Sequence, residues 1–351
     1  MPGADFEIAR PNLGPAIATW FVADGEADGT FFPQVGSRSD RLATQAVYWR
    51  CVVAFFASSL AVNPESRHIF FTNASPPVID GMDVGATLAS WGVQITRLPI
   101  TWRLQPGSVR SWGNQFYVFD ILDHWASNEF ESALIVLDCD CVWLRPVDET
   151  AADIDRHGAL TYRLDADEYA SGTPINGLTR AQLAEFAFRH GGTRQSWIPY
   201  CGGEIYAATS AATRRIAARA RTLWPDVLDP EGPAPLEEAH LLSVIYALEG
   251  IPAGTANRFI RRMWTAFKFN NLRPDDRNLT IWHLPVEKRT GFADLFRKLA
   301  SRPDLHPARD AEDMGLTAEN YAFTMGFPRR RLRKLLRDGL MKVIEKLRSA
   351  K

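Results

Sequence analysis

The chain is 351 residues long, 46% hydrophobic and 23% charged, enough to bury a large core in one α/β domain with appendages or in two domains. Its formal net charge of -1 hides an asymmetry: ten Lys or Arg stand against Asp338 and Glu345 between Arg329 and Lys351, leaving 30 basic and 39 acidic residues in the body. The body has no basic cluster interleaved with aromatics, which excludes a nucleic-acid surface there, and no uninterrupted apolar run reaches the ~20 residues of a membrane span.

Met1 to Glu7 lacks a basic segment followed by an apolar core, so no secretory leader is expected. The four cysteines, Cys51, Cys139, Cys141 and Cys201, are too few and too scattered for a disulfide framework. A reducing cytoplasm is the expected setting. Cys139 and Cys141 have no further cysteines nearby in sequence, and the pair is not read as a zinc site.

In chain order, Ala18 to Val22 reads as a first strand, followed by a loop carrying Asp24, Glu26 and Asp28. Gln45 to Val62 reads as a helix ended by Asn63-Pro64. Arg67 to Asn73 and Gly92 to Leu98 read as two more strands, and Asn114 to Ala126 as a helix with an apolar stripe of Phe116, Phe119, Ile121, Leu122 and Trp125. Beyond Pro146 the pattern loosens. Gly158 to Tyr162 suggests a strand, Thr179 to His190 a helix, Gly203 to Ala207 a strand, Ala234 to Leu248 a helix with Pro235 near its start, and Leu279 to Leu284 a last strand. Ser301 to Thr317, polar and rich in Asp and Arg, reads as a linker.

The run Ala133 to Asp140 is the most informative. Its apolar part, Leu134 to Leu137, predicts a central parallel strand buried on both faces, and the run ends in two carboxylates one residue apart. If extended geometry persists, Asp138 and Asp140 point the same way and Cys139 the other. In open α/β sheets such a strand end opens on the ligand crevice. Paired carboxylates there suit a hard divalent cation that completes its shell with water and phosphate oxygens. Asp165-Ala166-Asp167 repeats the spacing but sits in a loop-like stretch, and reads as a solvated turn.

Phe116 to Leu122, then Ala133 to Asp140, then Val142 to Val147 together resemble the helix, strand and DxD loop of metal-dependent nucleotide-sugar glycosyltransferases of the GT-A fold. The resemblance runs loosely from about Thr19 to Gly291. It implies an α/β fold with a Rossmann-like mixed sheet flanked by helices, and Mn2+ or Mg2+ held by Asp138 and Asp140 against the donor diphosphate. Trp197 to Tyr206 resembles the small-residue turn lining the sugar pocket, with Gly202 and Gly203 approaching substrate and Glu204 as a candidate catalytic carboxylate. Leu236 to Leu242 resembles the acidic helix start of retaining blood-group-type transferases, which implies Glu238 at the anomeric carbon. Ala239 stands where that family usually has Ser. Ile281 to Gly291 resembles the His and Lys element of glycogenin-like and lipopolysaccharide galactosyltransferases, in which His283 would complete the metal shell and Lys288 or Arg289 would meet the diphosphate. Lys288 follows His283 by five residues, without that family's usual intervening Gly.

These residues lead to the expectation of an enzyme that moves a sugar from a nucleotide-sugar donor, a UDP-hexose, to a glycan or lipid-linked hydroxyl acceptor. A nucleotide-binding half would span about 15–150 and an acceptor half about 151–300, with 301–351 as linker and basic helix. One alternative is a non-catalytic sugar- or membrane-binding module of the same fold. Another, a sugar nucleotidyltransferase, expects a glycine-rich basic loop after the first strand, where this chain is acidic. Leu332, Leu335, Leu336, Leu340, Val343, Ile344 and Leu347 fall at helical spacing among basic residues, so Arg329 to Lys351 reads as an amphipathic helix suited to an anionic membrane surface.

Overall fold

In the computed structural model the apolar run Leu134–Leu137 is a strand with every residue buried, and it lies in the middle of a six-stranded sheet. The structure describes residues 14–327 apart from 106, 109–110, 129, 165–171 and 267–269, together with Leu332, Leu335, Leu336, Gly339, Leu340 and Val343. The strand order is Ala159–Leu160, Ile205–Ala208, Leu134–Leu137, Ala16–Phe21, His68–Thr72 and Gln94–Arg97. The last four run parallel, and Ile205–Ala208 runs antiparallel to both of its neighbours. This is the expected mixed sheet flanked by helices.

A second, three-stranded sheet fixes the site. Cys141–Trp143 pairs antiparallel with Ile281–His283, which runs parallel to Ile260–Arg262. Helix Leu42–Val62 packs under both sheets, and Ser58 Oγ accepts from the Trp143 backbone N–H at 3.1 Å. This helix is apolar all round. It is long and apolar enough to cross a membrane, but 78% of its most apolar window is buried inside the protein, as befits a core helix between layers.

Several elements differ from the sequence expectation. Glu238–Leu248 starts four residues later than Ala234, because Leu236 N–H donates to His240 Nδ1 at 3.3 Å and Glu237 is extended at φ -150°. Helices Val84–Ser90, Asp148–His157, Ser210–Leu228, Gly291–Ala300 and Ala318–Met325 were not expected. The stretch read as a linker carries Met314 and Leu316 into the core, and Tyr321, Met325 and Phe327 follow them. Asp165-Ala166-Asp167 lies outside the described residues. The described tail residues are helical, and Leu332, Leu336, Leu340 and Val343 are all exposed.

His68 opens its strand fully enclosed. Its Nδ1 donates to the Ser66 carbonyl at 2.9 Å and its Nε2 accepts from Ser59 Oγ at 2.8 Å, so the neutral ring is satisfied and burial pulls its pKa down from 6.5 to about 4. Between those values the unfolded chain holds a proton that the folded chain does not, so this contribution is complete above pH 6.5 and lost as pH falls through 4. At ~1.4 kcal/mol per unit it amounts to about 3 kcal/mol. Urea unfolding between pH 4 and 7.5 should therefore show a steeper loss of stability for the wild type than for His68→Gln. Parallel profiles would contradict this.

Candidate active site

The strand Leu134–Leu137 stops where the acidic pair begins. Cys141 N–H donates to the Asp138 carbonyl at 3.2 Å, closing a turn in place of the expected extended strand end. Cys139, between the two acids, is buried, and so is Cys51. Two backbone bonds lock the turn between neighbours: Asp138 N–H to the Glu204 carbonyl at 3.1 Å, and Leu284 N–H to the Asp140 carbonyl at 3.0 Å. The register then sets His283 opposite Cys141, one residue from Asp140.

His283 Nε2 lies 3.4 Å from Asp138 Oδ2 and 3.3 Å from Asp140 Oδ2, and the three ligand atoms all fall within 4.8 Å of one another. Neighbouring donors held ~2.1 Å from an octahedral cation sit about 3 Å apart. Two carboxylates and an imidazole at this spacing therefore fit a divalent ion. Lys288 Nζ also donates to Asp140 Oδ2, and its ammonium faces the Tyr48 ring at 5.6 Å.

Burial opposes every charge here, and the partners decide which survive. Burial would raise Asp140, but Lys288 and His283 hold it well below the usual carboxylate range. Burial would lower His283, but Asp140, Glu204 and Asp138 raise it to about 9, so without a metal the ring is an imidazolium. Asp138, 36% exposed at its side chain, is raised to about 6 by burial and by Asp140, against the pull of His283. Asp140 itself is 1% exposed, so only Asp138 of the pair keeps solvent access.

Glu204 and Glu238 differ in their surroundings. Glu204 receives Arg262 Nε on Oε1, and the same oxygen is 3.7 Å from His283 Nδ1. Burial raises its pKa, and Arg262 and His283 bring it down to about 2. Glu238 is pushed well above the usual range by burial, then by Glu237, Asp138 and Glu204. It is 8% exposed and its Oε2 has no hydrogen-bond partner. The other oxygen lies against Gly203, where an added Cβ would collide with it. A side chain at 202 would likewise strike the Glu204 carboxylate. The paired glycines make room for these two acids.

A cavity of about 320 Å³ gathers Asp138, Asp140, Gly203, Glu204, Glu238, His283 and Lys288 in its walls. Arg289 is not among its described lining residues. Its guanidinium donates instead to the Val35 carbonyl at 3.2 Å. The cavity also contains residues the sequence did not single out. Glu237 accepts from Asn176 Nδ2 and Tyr200 OH, both at 2.6 Å, and Asn176 holds φ 47° in the Asn176-Gly177 turn. Phe21 stacks on Tyr48 at 5.3 Å, and Trp20, Trp112 and Trp264 complete an aromatic end. Asn-Gly is a recognisable turn signal. Arg262 had none, since its role depends on a long-range pairing.

No family model matches the chain, and no curated protein matches its sequence. Among solved structures it is similar to an active-site mutant of LgtC, with 12% identity and a TM-score of 0.46 over 84% of this chain and 99% of that one. It is also similar to galactosyltransferase LgtC in complex with donor and acceptor sugar analogs, with 11% identity and a TM-score of 0.45 over 85% and 99%.

Asp140 and Lys288 are both buried, so removing one partner strands the other charge. Asp140→Asn should cost about 3–5 kcal/mol in urea unfolding, whereas Asp138→Asn, on a side chain that keeps solvent access, should cost under about 1 kcal/mol. Equal costs would refute the burial asymmetry.

Proposed function

We propose that this chain is a metal-dependent glycosyltransferase that moves a hexose from a nucleoside diphosphate, UDP in the first instance, to a hydroxyl acceptor. One observation carries the reading: Asp138, Asp140 and His283 converge, with Lys288 on Asp140, in the wall of a cavity that is also lined by Glu238, whose Oε2 has no hydrogen-bond partner. The resemblance of Phe116 to Val147 and of Ile281 to Gly291 to nucleotide-sugar transferases agrees with it. Asp138, Asp140 and His283 would hold Mn2+ or Mg2+, which when bound supplies positive charge to the diphosphate.

The remaining steps belong to the chain. As the bond to the anomeric carbon breaks, negative charge builds on the leaving diphosphate, and the Lys288 ammonium stabilises it at short range. Glu204, held by Arg262, places its negative charge 3.7 Å behind His283 Nδ1. Glu237, with both oxygens already occupied by Asn176 and Tyr200, fixes the entry to helix Glu238–Leu248. Glu238 is left as the group facing the reacting sugar. Its protonated form can donate to a sugar oxygen, and its ionised form can stabilise developing positive charge on the ring.

Two variants separate these roles. Asp138→Asn should abolish Mn2+-dependent UDP binding in calorimetry. Glu238→Gln should leave that binding within about twofold and lower sugar transfer by about 100-fold or more, because the group acts in the transition state. Wild-type affinity in the first variant would remove the metal reading, and wild-type transfer in the second would remove the catalytic one.

The exposed stripe of Leu332, Leu336, Leu340 and Val343, within a segment holding ten basic residues, supports a second element of the proposal. The acceptor is lipid-linked, and the enzyme works at the cytoplasmic face of an anionic membrane. Each basic residue near such a surface contributes about 1 kcal/mol before screening. Full-length protein should float with anionic vesicles at low salt, less at high salt, and not at all once Arg329 to Lys351 is deleted. Soluble-donor hydrolysis should be unchanged by the deletion. Failure of the full-length chain to float would leave a soluble acceptor.

A further inference from the structure

The oxygen that would complete the cation site is already in use. Asp140 Oδ2 is the atom 3.3 Å from His283 Nε2, and it is the same atom that receives Lys288 Nζ. Lys288 is 5% exposed, and its ammonium meets this carboxylate oxygen and the face of the Tyr48 ring at 5.6 Å. The geometry points to Lys288 as an internal cation that holds the metal site closed until a diphosphate arrives, making metal and donor bind as a unit. This rests on the metal-dependent reading above and extends it to the order and coupling of binding.

The physical reason is charge crowding. A divalent ion on Asp140 Oδ2 would stand within a few ångströms of the ammonium, between side chains only 1% and 5% exposed, where like charges repel far more than in water. If Lys288 leaves Asp140 to relieve the repulsion, it becomes an unpaired buried charge, which is costly. A diphosphate resolves both problems: its oxygens neutralise the ion and give Lys288 a new anionic partner. Metal alone and diphosphate alone are each disfavoured, and each raises the affinity for the other by the same factor. The site thereby stays closed to free divalent ions when no donor is present.

The test is binding rather than turnover, with full-length protein, Mn2+ followed by the loss of its free electron paramagnetic resonance signal, and UDP as the diphosphate. Wild-type protein should bind Mn2+ at least about tenfold more tightly with saturating UDP than without. Lys288→Met should bind Mn2+ alone at least about tenfold more tightly than wild type, with the enhancement by UDP reduced to about threefold or less. Lys288→Arg, which keeps the charge, should bind Mn2+ alone as weakly as wild type. Should Lys288→Met prove unstable, Mn2+ alone should raise its melting temperature more than that of wild type. Equal Mn2+ affinity in wild type and Lys288→Met, with binding still lost in Asp138→Asn, would overturn the role of Lys288 while leaving the metal site standing. No Mn2+ binding in any variant, with or without UDP, would overturn the metal reading itself.

Discussion

The buried carboxylate of Asp140 sets the terms for everything around it. A charge at that depth survives only with partners of opposite sign, and both partners, His283 and Lys288, come from more than a hundred residues further along the chain. The three-stranded sheet exists to deliver them. Its middle strand places His283 against Cys141, and the backbone bond from Leu284 to Asp140 ties the two segments at the point where the charges meet. The six-stranded sheet holds the other side of the turn through Asp138 and Glu204. The candidate site is thus the seam between two sheets.

Two pairs of acids at this seam show how surroundings divide identical chemistry. Asp140 and Glu204 each have a basic partner and stay ionised, whereas Asp138 and Glu238 are pushed up by burial and by neighbouring negative charge. Groups whose environments drive their pKa values apart are those able to hold different protonation states at one pH. Within the helix entry the split is sharper. Glu237 spends both oxygens on Asn176 and Tyr200, while the adjacent Glu238 leaves its buried Oε2 without a hydrogen-bond partner.

Local signals made the parallel strands and the acidic pair legible, because a buried strand writes itself as a continuous apolar run and its end as a change to polar residues. Leu134–Leu137 was placed to the residue. Helix Ser210–Leu228 was not seen: its buried face is built largely from small residues, Ala212, Ala217 and Ala220 among them, which give little hydrophobic contrast against an alanine- and arginine-rich exposed face. The short strand Ile260–Arg262 carries two arginines in three residues and has no strand signature. Its meaning comes from its partner Ile281–His283. The pairing of Arg262 with Glu204 depended on that long-range register, and no local pattern encodes it.

The spacing of His283 and Lys288 follows from backbone geometry. A strand continuing past His283 would carry a residue five positions on about 16 Å away, far from any shared carboxylate. Pro285 instead starts a 3-10 turn through Glu287, which advances only ~2 Å per residue. Glu287 is fully buried and anchored by the Thr265 and Thr290 hydroxyls, so the turn is held at its far end as well as at its proline. Lys288 emerges from it pointing back at the carboxylate that His283 already faces. A tight, proline-started turn thus brings both cations to one oxygen across a five-residue interval.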